Sequence, residues 1–364
     1  MIQKLVWENV RFRPIRTLLS VLLIAVPVTL ILTLIGLSRG FLDDSKTRSS
    51  GVGADVLFRP PGSSLMTFSG APLPEKLIEL LAKEPHVTQA TGVVNQPIGG
   101  FDTITGIETA SFNRMSGGFR FSEGGPLAQP DDILIDEYYA AQRKTRVGRK
   151  INVMNRDWNV VGIVEPGKLA HLFVDIHVLQ NLTGSTAKLS QVYLKLDDPA
   201  NTDAVVAALK QKFDSYPVYS MKELASFYSV DQIPLLKNFI NVILGIGVVI
   251  GFAVVSLSMY MAVLQRTREI GILKSLGATK GFVMGLILAE AFALGLGGTI
   301  AGILLSFVTR WAMHVVAPAS LPQAIVTTWW PIAGAVAMGA ALLGALYPGM
   351  MAVRQDPIEA LAYE

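Results

Sequence analysis

Four long apolar segments decide what this chain can fold into. They lie near Thr17–Leu37, Phe239–Leu264, Phe282–Thr309 and Trp329–Val353. Each is long enough to cross a bilayer, because about 20 helical residues span the roughly 30 Å of hydrocarbon. Only 16% of the residues are charged, against about 25% in an average soluble domain. The sequence therefore predicts an α-helical membrane protein with four transmembrane helices.

The stretch between the first two apolar segments is long and polar, and its pattern predicts a domain of mixed α and β structure. Short β-branched runs between turn residues predict strands at Ala54–Phe58, Val87–Val94, Ile133–Ile135, Lys150–Val153, Asn159–Val164 and Val192–Leu196. Helical composition predicts helices at Pro74–Lys83, Glu137–Lys144, Thr202–Phe213 and Met221–Tyr228. The Gly-rich stretch Ser116–Pro130 is the best candidate for a subdomain boundary.

Lysine and arginine outnumber acidic residues in two short segments, and this sets the expected orientation. Short positive segments stay in the cytoplasm. The two segments are the N-terminus, with Lys4, Arg11, Arg13 and Arg16, and the loop after the second apolar segment, with Arg266, Arg268, Lys274 and Lys280. We therefore expect both chain ends in the cytoplasm and the large domain outside. The first apolar segment is too long for a signal-peptide core of about 7–15 residues, so we interpret it as a retained anchor.

The sequence carries no recognisable catalytic motif. It has no G-x-x-x-x-G-K-[ST] phosphate loop for ATP, and neither G-x-S-x-G nor H-E-x-x-H. There is no cysteine, and the net charge of +3 is too small to indicate nucleic-acid binding. His171, Asp175 and His177 are close in sequence, but their spacing matches no standard ligand pattern. We expect surface or turn residues there, with no metal site and no catalytic residue on this chain.

Glu290 is the clear ionisable residue inside an apolar segment. Charge in hydrocarbon is costly and usually functional, but a proton relay normally needs several such groups. We therefore expect Glu290 to lie near the cytoplasmic headgroups or to be hydrogen-bonded between helices, which disfavours an ion-coupled transporter. Small residues four apart allow close helix packing and, in some proteins, dimerisation. Such pairs are Gly247 with Gly251, Gly281 with Gly285, and Gly298 with Gly302.

The basic segment QRTREIGILKSLGATKGF, residues 265–282, lies between the second and third apolar segments. As a helix, it places Ile270, Leu273 and Gly277 on one face and Ile272 and Leu276 on a neighbouring one. Two interpretations remain open from the residues alone. The segment is either a solvated positive loop or an amphipathic elbow that offers apolar and charged side chains to a cytoplasmic protein.

The run Thr267–Val283 is very similar to the signature of FtsX-like permeases, the membrane subunits of MacB-type (type VII) ABC transporters. Four other segments resemble the same family. They are Leu5–Val26, Asp131–Val153, Trp158–Val164 and Tyr347–Glu364. The resemblance covers nearly the whole chain. It implies four transmembrane helices plus an α+β extracytoplasmic domain of the MacB-type periplasmic core kind between helices 1 and 2.

The resemblance also implies a division of the chain into segments. In order, these are an amphipathic cytoplasmic N-terminal helix (1–16), the first transmembrane helix (17–40), the extracytoplasmic domain (41–232), the second helix (235–264), a cytoplasmic coupling loop or helix (265–280), the third helix (281–310), a short external loop (311–328), the fourth helix (329–353) and a cytoplasmic tail (354–364).

In this family, two copies of a separate cytoplasmic ATPase bind ATP and Mg, and the permease itself is usually a dimer. The resemblance therefore implies a homodimer in the bacterial inner membrane, in contact with lipid and not with nucleic acid, whose own chain holds no cofactor. ATP-driven movement reaches the external domain by mechanotransmission. The residues expected to contact the ATPase are Arg266, Arg268, Glu269, Ile270, Gly271, Ile272, Lys274, Leu276, Gly277 and Ala278. One departure is GMMAVRQ near Gly349, where many relatives carry a basic pair.

Three functions remain open at this point. The first is export or extraction of a hydrophobic or envelope-associated substrate, with or without a periplasmic adaptor and an outer-membrane channel. The second is lipoprotein or lipid trafficking, and the third is regulation of a cell-wall hydrolase or sensor without transport. Leu65, Met66 and Phe68 in the external domain are candidate contacts to a partner or substrate.

Overall fold

The computed structural model describes residues 14–63, 72–99, 102–227 and 234–355. The chain forms two compact units. The membrane unit comprises Met1–Arg39, Pro234–Ala312 and Gln323–Glu364, and the external unit comprises Gly40–Ile233 and Met313–Pro322.

Helices and strands of the described residues are numbered in chain order. The helices are α1 (Pro14–Ser50), α2 (Leu77–Leu81), α3 (Thr109–Ser116), α4 (Glu137–Arg143), α5 (Ile176–Leu182), α6 (Thr202–Lys212), α7 (Met221–Phe227), α8 (Pro234–Gln265), α9 (Thr267–Ser275), α10 (Lys280–Val316) and α11 (Trp330–Arg354). The strands are β1 (Val56–Phe58), β2 (Leu73–Pro74), β3 (Val87–Gly99), β4 (Asp102–Ile107), β5 (Phe121–Gly124), β6 (Asp132–Asp136), β7 (Lys150–Val153), β8 (Arg156–Val164), β9 (Leu172–Asp175), β10 (Lys188–Leu189), β11 (Gln191–Leu196) and β12 (Val218–Ser220).

Four of these helices, α1, α8, α10 and α11, are long and apolar enough to cross a membrane. Two of them extend past the predicted ends of the spans. Helix α1 continues to Ser50, and α10 continues to Val316. The outer end of α1 remains helical past Gly40, and Arg48 forms an i,i+4 ion pair of 2.8 Å with Asp44 there.

Glycines let the membrane helices approach closely. A Cβ atom at Gly298 would lie 2.5 Å from Ile24 of α1, and one at Gly302 would lie 2.6 Å from Val28. The hydroxyl of Thr29 donates to the carbonyl of Gly302 at 3.1 Å. The pairing of small residues four apart therefore marks a real contact between α1 and α10, as expected for membrane helices.

The external unit is built on one ten-stranded mixed sheet, ordered β12-β1-β11-β3-β4-β9-β6-β8-β5, with β7 paired to β8. Strand β4 runs parallel to β9 and β6 runs parallel to β8, while the other pairs are antiparallel. The largest fully buried side chain is Trp158. Its indole N–H donates to the carbonyl of Val153 at 3.1 Å, which satisfies its polar atom inside the core.

The structure has a strand at each of the predicted strand positions and a helix at each of the predicted helix positions. The predicted subdomain boundary at Ser116–Pro130 is wrong. The strands before and after this stretch belong to the same sheet, because β4 pairs directly with β9. The stretch instead connects α3 to β6 and contains β5, a strand at the edge of the sheet.

His171 also differs from the expectation of a surface or turn residue. Its Nδ1 lies 2.5 Å from Oδ2 of Asp136, and both side chains are almost fully buried. Asp175 caps α5 by accepting from the backbone N–H of His177 at 2.9 Å, so it acts as an N-cap rather than a ligand. Among the residues that the structure describes, no group of three His, Cys, Asp or Glu side chains could hold a metal ion.

The loop between α10 and α11 belongs in part to the external unit. Gln142 of α4 accepts hydrogen bonds from the backbone N–H groups of Ala319 and Ser320, at 3.1 and 3.2 Å, and donates to the Ser320 hydroxyl at 2.8 Å. That hydroxyl also donates to Asp102 at 3.1 Å. Ala319 is buried in the core of the external unit. The loop is therefore docked, and not a free connection.

Candidate coupling site

The basic segment after α8 folds into a short helix, α9, whose C-terminal end is defined by local chemistry. At its start, the hydroxyl of Thr267 donates to the carbonyl of Leu264 in the last turn of α8 at 3.0 Å. At its end, Gly277 adopts a left-handed conformation with φ of +95°. The N–H of Gly277 then donates to the carbonyl of Lys274 at 3.1 Å, and the N–H of Ala278 donates to the carbonyl of Leu273 at 2.9 Å. This pair of bonds is a Schellman motif, which favours glycine.

The next helix begins immediately after this turn. The hydroxyl of Thr279 accepts from the backbone N–H of Phe282 at 3.2 Å, so Thr279 is the N-cap of α10. The sequence Gly-Ala-Thr-Lys-Gly, which resembles a fragment of a phosphate loop, is thus a helix–turn–helix elbow.

The inward side of the elbow contains an ion pair. Nη1 of Arg266 lies 3.1 Å from Oε2 of Glu290, and the two side chains are only 12% and 10% exposed. The intramembrane glutamate therefore joins the residue that precedes α9 to the first third of α10. This agrees with the expectation that Glu290 is hydrogen-bonded between helices. Because Arg266 is held in this pair, it does not lie on the exposed face of α9.

Lys274 also points inward. Its ammonium donates to the carbonyl of Val353 at 2.9 Å and to the carbonyl of Gln355. These carbonyls belong to the C-terminal end of α11, where a helix leaves acceptors unpaired and carries partial negative charge. The amide of Gln355 donates back to Thr267 at 3.4 Å. Lys274 therefore attaches α9 to the end of α11.

A cavity of about 80 Å³ lies beneath α9. Its walls come from Val263 of α8, Ile270 of α9 and Val283 and Ile287 of α10. Ile270 and Gly271 are buried, so they serve packing and not external contact. Four of the ten predicted contacts, namely Arg266, Ile270, Gly271 and Lys274, therefore hold the elbow in position.

The outward side presents a mixed apolar and charged face, which we call the elbow face. Leu276 is 80% exposed and Ile272 is 43% exposed. Arg268 and Glu269 are also exposed, and Glu269 borders the cavity at the edge of this face. Of the remaining predicted contacts, Gly277 is exposed and Ala278 is half-buried. An exposed leucine and isoleucine next to charged side chains is the pattern of a protein-docking surface.

Several predicted elements cannot be placed on this site. Leu65, Met66 and Phe68 lie outside the described residues, as do residues 1–13 of the N-terminal helix and the tail beyond Gln355. The sequence reasoning missed Thr279 and Gln355 as members of the elbow. The threonine directly before an apolar helix was an available capping signal. The pairing of Gln355 with Thr267 depends on tertiary packing and had no local signal.

Comparison with protein families gives two matches. The profile described as MacB-like periplasmic core domain matches residues 17–212, more than half of the chain. The profile described as FtsX-like permease C-terminal matches residues 241–357, a range that contains the whole elbow.

Three relatives illustrate the similarity. The uncharacterized ABC transporter permease YknZ of Bacillus subtilis is 27% identical over 72% of this chain and 70% of its own length. The macrolide export ATP-binding/permease protein MacB of Hyphomonas neptunium is 23% identical over 99% of this chain and 60% of its own length. The lipoprotein-releasing system transmembrane protein LolC of Neisseria meningitidis is 26% identical over 64% of this chain and 65% of its own length.

The chain thus spans less than two thirds of the length of the MacB and LolC relatives. The four apolar helices, the α/β domain between the first two of them and the two family matches agree with one another. The chain belongs to the FtsX-like ABC transporter permeases that carry a MacB-like periplasmic core domain.

Proposed function

We propose that this chain couples ATP hydrolysis on a separate cytoplasmic ATPase to movement of its own extracytoplasmic domain. The observation that carries the proposal is the elbow face. Leu276 and Ile272 are exposed on a helix whose opposite side is bonded to α10 through Arg266 and to α11 through Lys274. A force applied to the elbow face is therefore delivered to two membrane helices and is not absorbed by a flexible loop.

The positive charge of residues 265–280 supports a cytoplasmic location for the elbow. In our proposal, each elbow docks on one copy of the ATPase, which binds ATP and Mg, and two copies of the chain form a homodimer. Arg268 and Glu269 provide the charged contacts beside the apolar ones. Arg266, Ile270, Gly271 and Lys274 act indirectly, because they hold α9 in place.

The docked loop offers a second route into the external domain. Residues 313–322 follow α10 and precede α11, and their bonds to Gln142 and Asp102 tie them to the external unit. A shift of α10 or α11 would therefore be transmitted through this loop as well as through the continuous backbone of α1. This arrangement favours mechanotransmission over passage of a substrate between the helices.

The proposed substrate class is hydrophobic or envelope-associated. Within the described residues of the membrane helices, Glu290 is already engaged by Arg266, so it offers no simple start to a polar pathway. The relative named for macrolide export supports efflux, with a periplasmic adaptor and an outer-membrane channel as further proposed partners. The relative named for lipoprotein release favours lipoprotein or lipid trafficking as the second candidate.

Charge reversal on the elbow face tests the coupling proposal. Tagged full-length chain is purified in mild detergent from its native host, and the retained ATPase and its activity are measured. We expect the R268E/E269R variant to lose the ATPase. The matched control is R120E/E165R, which reverses an exposed ion pair of 3.7 Å in the external unit and should retain it. Normal ATPase binding and activity in R268E/E269R, at normal protein level, would overturn the docking assignment.

A further inference from the structure

A cavity of about 140 Å³ lies in the external unit, between the outer end of α1 and one face of the sheet. Its lining mixes polar side chains with Leu57, Leu169 and Leu224. One wall is formed by Phe41, Ser45, Arg48 and Ser49 of α1. Their spacing of four, three and one residues places them on one face of the helix. The cavity is therefore a product of the extension of α1 beyond its apolar segment.

The opposite wall comes from one face of neighbouring strands. Alternate residues of a strand point to the same side of a sheet, and the sheet order brings β1, β11, β3 and β4 together. The polar side chains on this face are Arg59, Gln191, Tyr193, Asn95, Thr103 and Thr105. A sheet face that is covered by a helix normally carries apolar side chains, so this polar set is unusual.

The polar wall is ordered by hydrogen bonds between its own members. The hydroxyl of Thr105 donates to Oδ1 of Asn95 at 2.8 Å, and Nε2 of Gln191 donates to the hydroxyl of Tyr193 at 2.7 Å. Thr105, Gln191 and Tyr193 are all buried. Polar groups fixed in this way form a preorganised site, because little rearrangement is needed to bind a ligand.

Both charged side chains of the described lining are arginines, and that lining includes no carboxylate. Arg59 is 4% exposed. Nη2 of Arg48 lies 2.8 Å from Asp44, which is outside the lining, and the buried Nε of Arg48 has no hydrogen-bond partner among the described residues. Guanidinium groups bind planar and tetrahedral oxyanions through paired N–H donors. The charge of the cavity thus favours an anion.

We propose that this cavity binds a phosphate group. Its volume is well above the roughly 10–15 Å³ that one water molecule requires on this measure, and its lining includes the buried Nε–H of Arg48, unbonded among the described residues, beside amide and hydroxyl groups. The first apolar segment ends at Leu37. At a rise of 1.5 Å per residue, Phe41 and Arg48 lie about 6 and 16 Å beyond that end along α1. The phosphate therefore comes either from the headgroup of a membrane lipid or from a soluble phosphate compound. Neither source depends on the proposed ATPase coupling.

Two binding measurements on full-length protein in nanodiscs distinguish the sources. In nanodiscs of phosphatidylcholine alone, inorganic phosphate is titrated calorimetrically, with chloride at the same ionic strength as the reference. In nanodiscs of mixed phosphatidylglycerol and phosphatidylcholine, native mass spectrometry counts the phosphatidylglycerol molecules that remain bound. The variants are R48Q and R59Q, and the matched control is R120Q, since the Arg120 side chain is 84% exposed outside the cavity.

We expect R48Q and R59Q to weaken binding by at least about tenfold, as for the loss of a charge-assisted hydrogen bond, and R120Q to leave it unchanged. Saturable binding of inorganic phosphate identifies a soluble ligand, and retention of phosphatidylglycerol without phosphate binding identifies a headgroup. Thermal unfolding is measured first to show that each variant is folded. If R59Q does not fold, R48Q alone is compared with R120Q. Failure of wild-type protein to bind either probe, or an equal loss in R120Q, would overturn the proposal.

Discussion

The ion pair between Arg266 and Glu290 allows the sharpest prediction about how the elbow is held. In the E290Q variant, the guanidinium stays buried but loses its counter-charge. Removing one partner of a buried pair typically costs about 3–5 kcal/mol. An independent value comes from Coulomb's law, which gives about 4 kcal/mol for charges about 4 Å apart at an effective dielectric constant of 20.

We expect E290Q to lie at the lower end of this range. Glutamine keeps an oxygen that can accept one N–H of Arg266, and the two side chains retain 12% and 10% exposure. The predicted loss of unfolding free energy is therefore about 3 kcal/mol. The R266Q/E290Q double variant should lose less than the sum of the two single variants, because neither charge is then left alone.

The assay is denaturant unfolding of the purified chain in detergent, followed by tryptophan fluorescence. The matched control is E269Q, which removes an exposed carboxylate of the same helix and should change the free energy by no more than about 0.5 kcal/mol. Additive single and double variants, or an E290Q effect as small as that of E269Q, would refute the inference that the pair fixes α9 to α10.

Three further predictions follow from local geometry. G277A should destabilise the elbow by about 1 kcal/mol, because its left-handed φ of +95° strains any residue with a Cβ; G281A, in open space on a regular helix, is the control in the same unfolding assay. G302A should cost about 1–3 kcal/mol, since its Cβ would lie 2.6 Å from a buried valine of α1, whereas G339A meets nothing within 4 Å and should be tolerated. Q142A should release the docked loop, because this side chain binds two loop amides. We expect these amides to exchange with solvent at least about tenfold faster, while ATPase retention stays unchanged. Unaltered exchange would show that the loop is held by other contacts.

The elements with a strong local signal were predictable from the sequence. The four apolar helices follow from the length of their hydrophobic runs, and β-branched runs such as Val192–Leu196 correspond to strands. The segment Leu172–Leu182 was missed. Its strand β9 and helix α5 follow one another directly, and its apolar residues were not recognised as a strand or a helix.

The elbow shows why a helical pattern alone does not separate the inward-facing residues of a site from the outward-facing ones. From the sequence, the charged residues Arg266, Arg268, Glu269 and Lys274 were all expected to contact the ATPase. In the structure, Arg266 and Lys274 turn inward, because Glu290 and the end carbonyls of α11 provide partners there. Those partners are 24 and 79 residues away in the chain. Tertiary contacts therefore decide which charged side chain faces inward. The exposure of Leu276 could be expected from the helical pattern, which places it with Ile272 on a face separate from Ile270 and Leu273.

Site-specific cross-linking from position 276 tests directly whether the elbow face contacts the ATPase. The chain contains no cysteine, so L276C provides a unique attachment point for a maleimide-linked benzophenone. The control is L304C on α10, where the native side chain is 61% exposed but lies far along the helix from the elbow. We expect a light-dependent adduct between L276C and a P-loop ATPase, and none from L304C. An L276C sample without such an adduct, or equal yields from the two positions, would contradict the proposed contact.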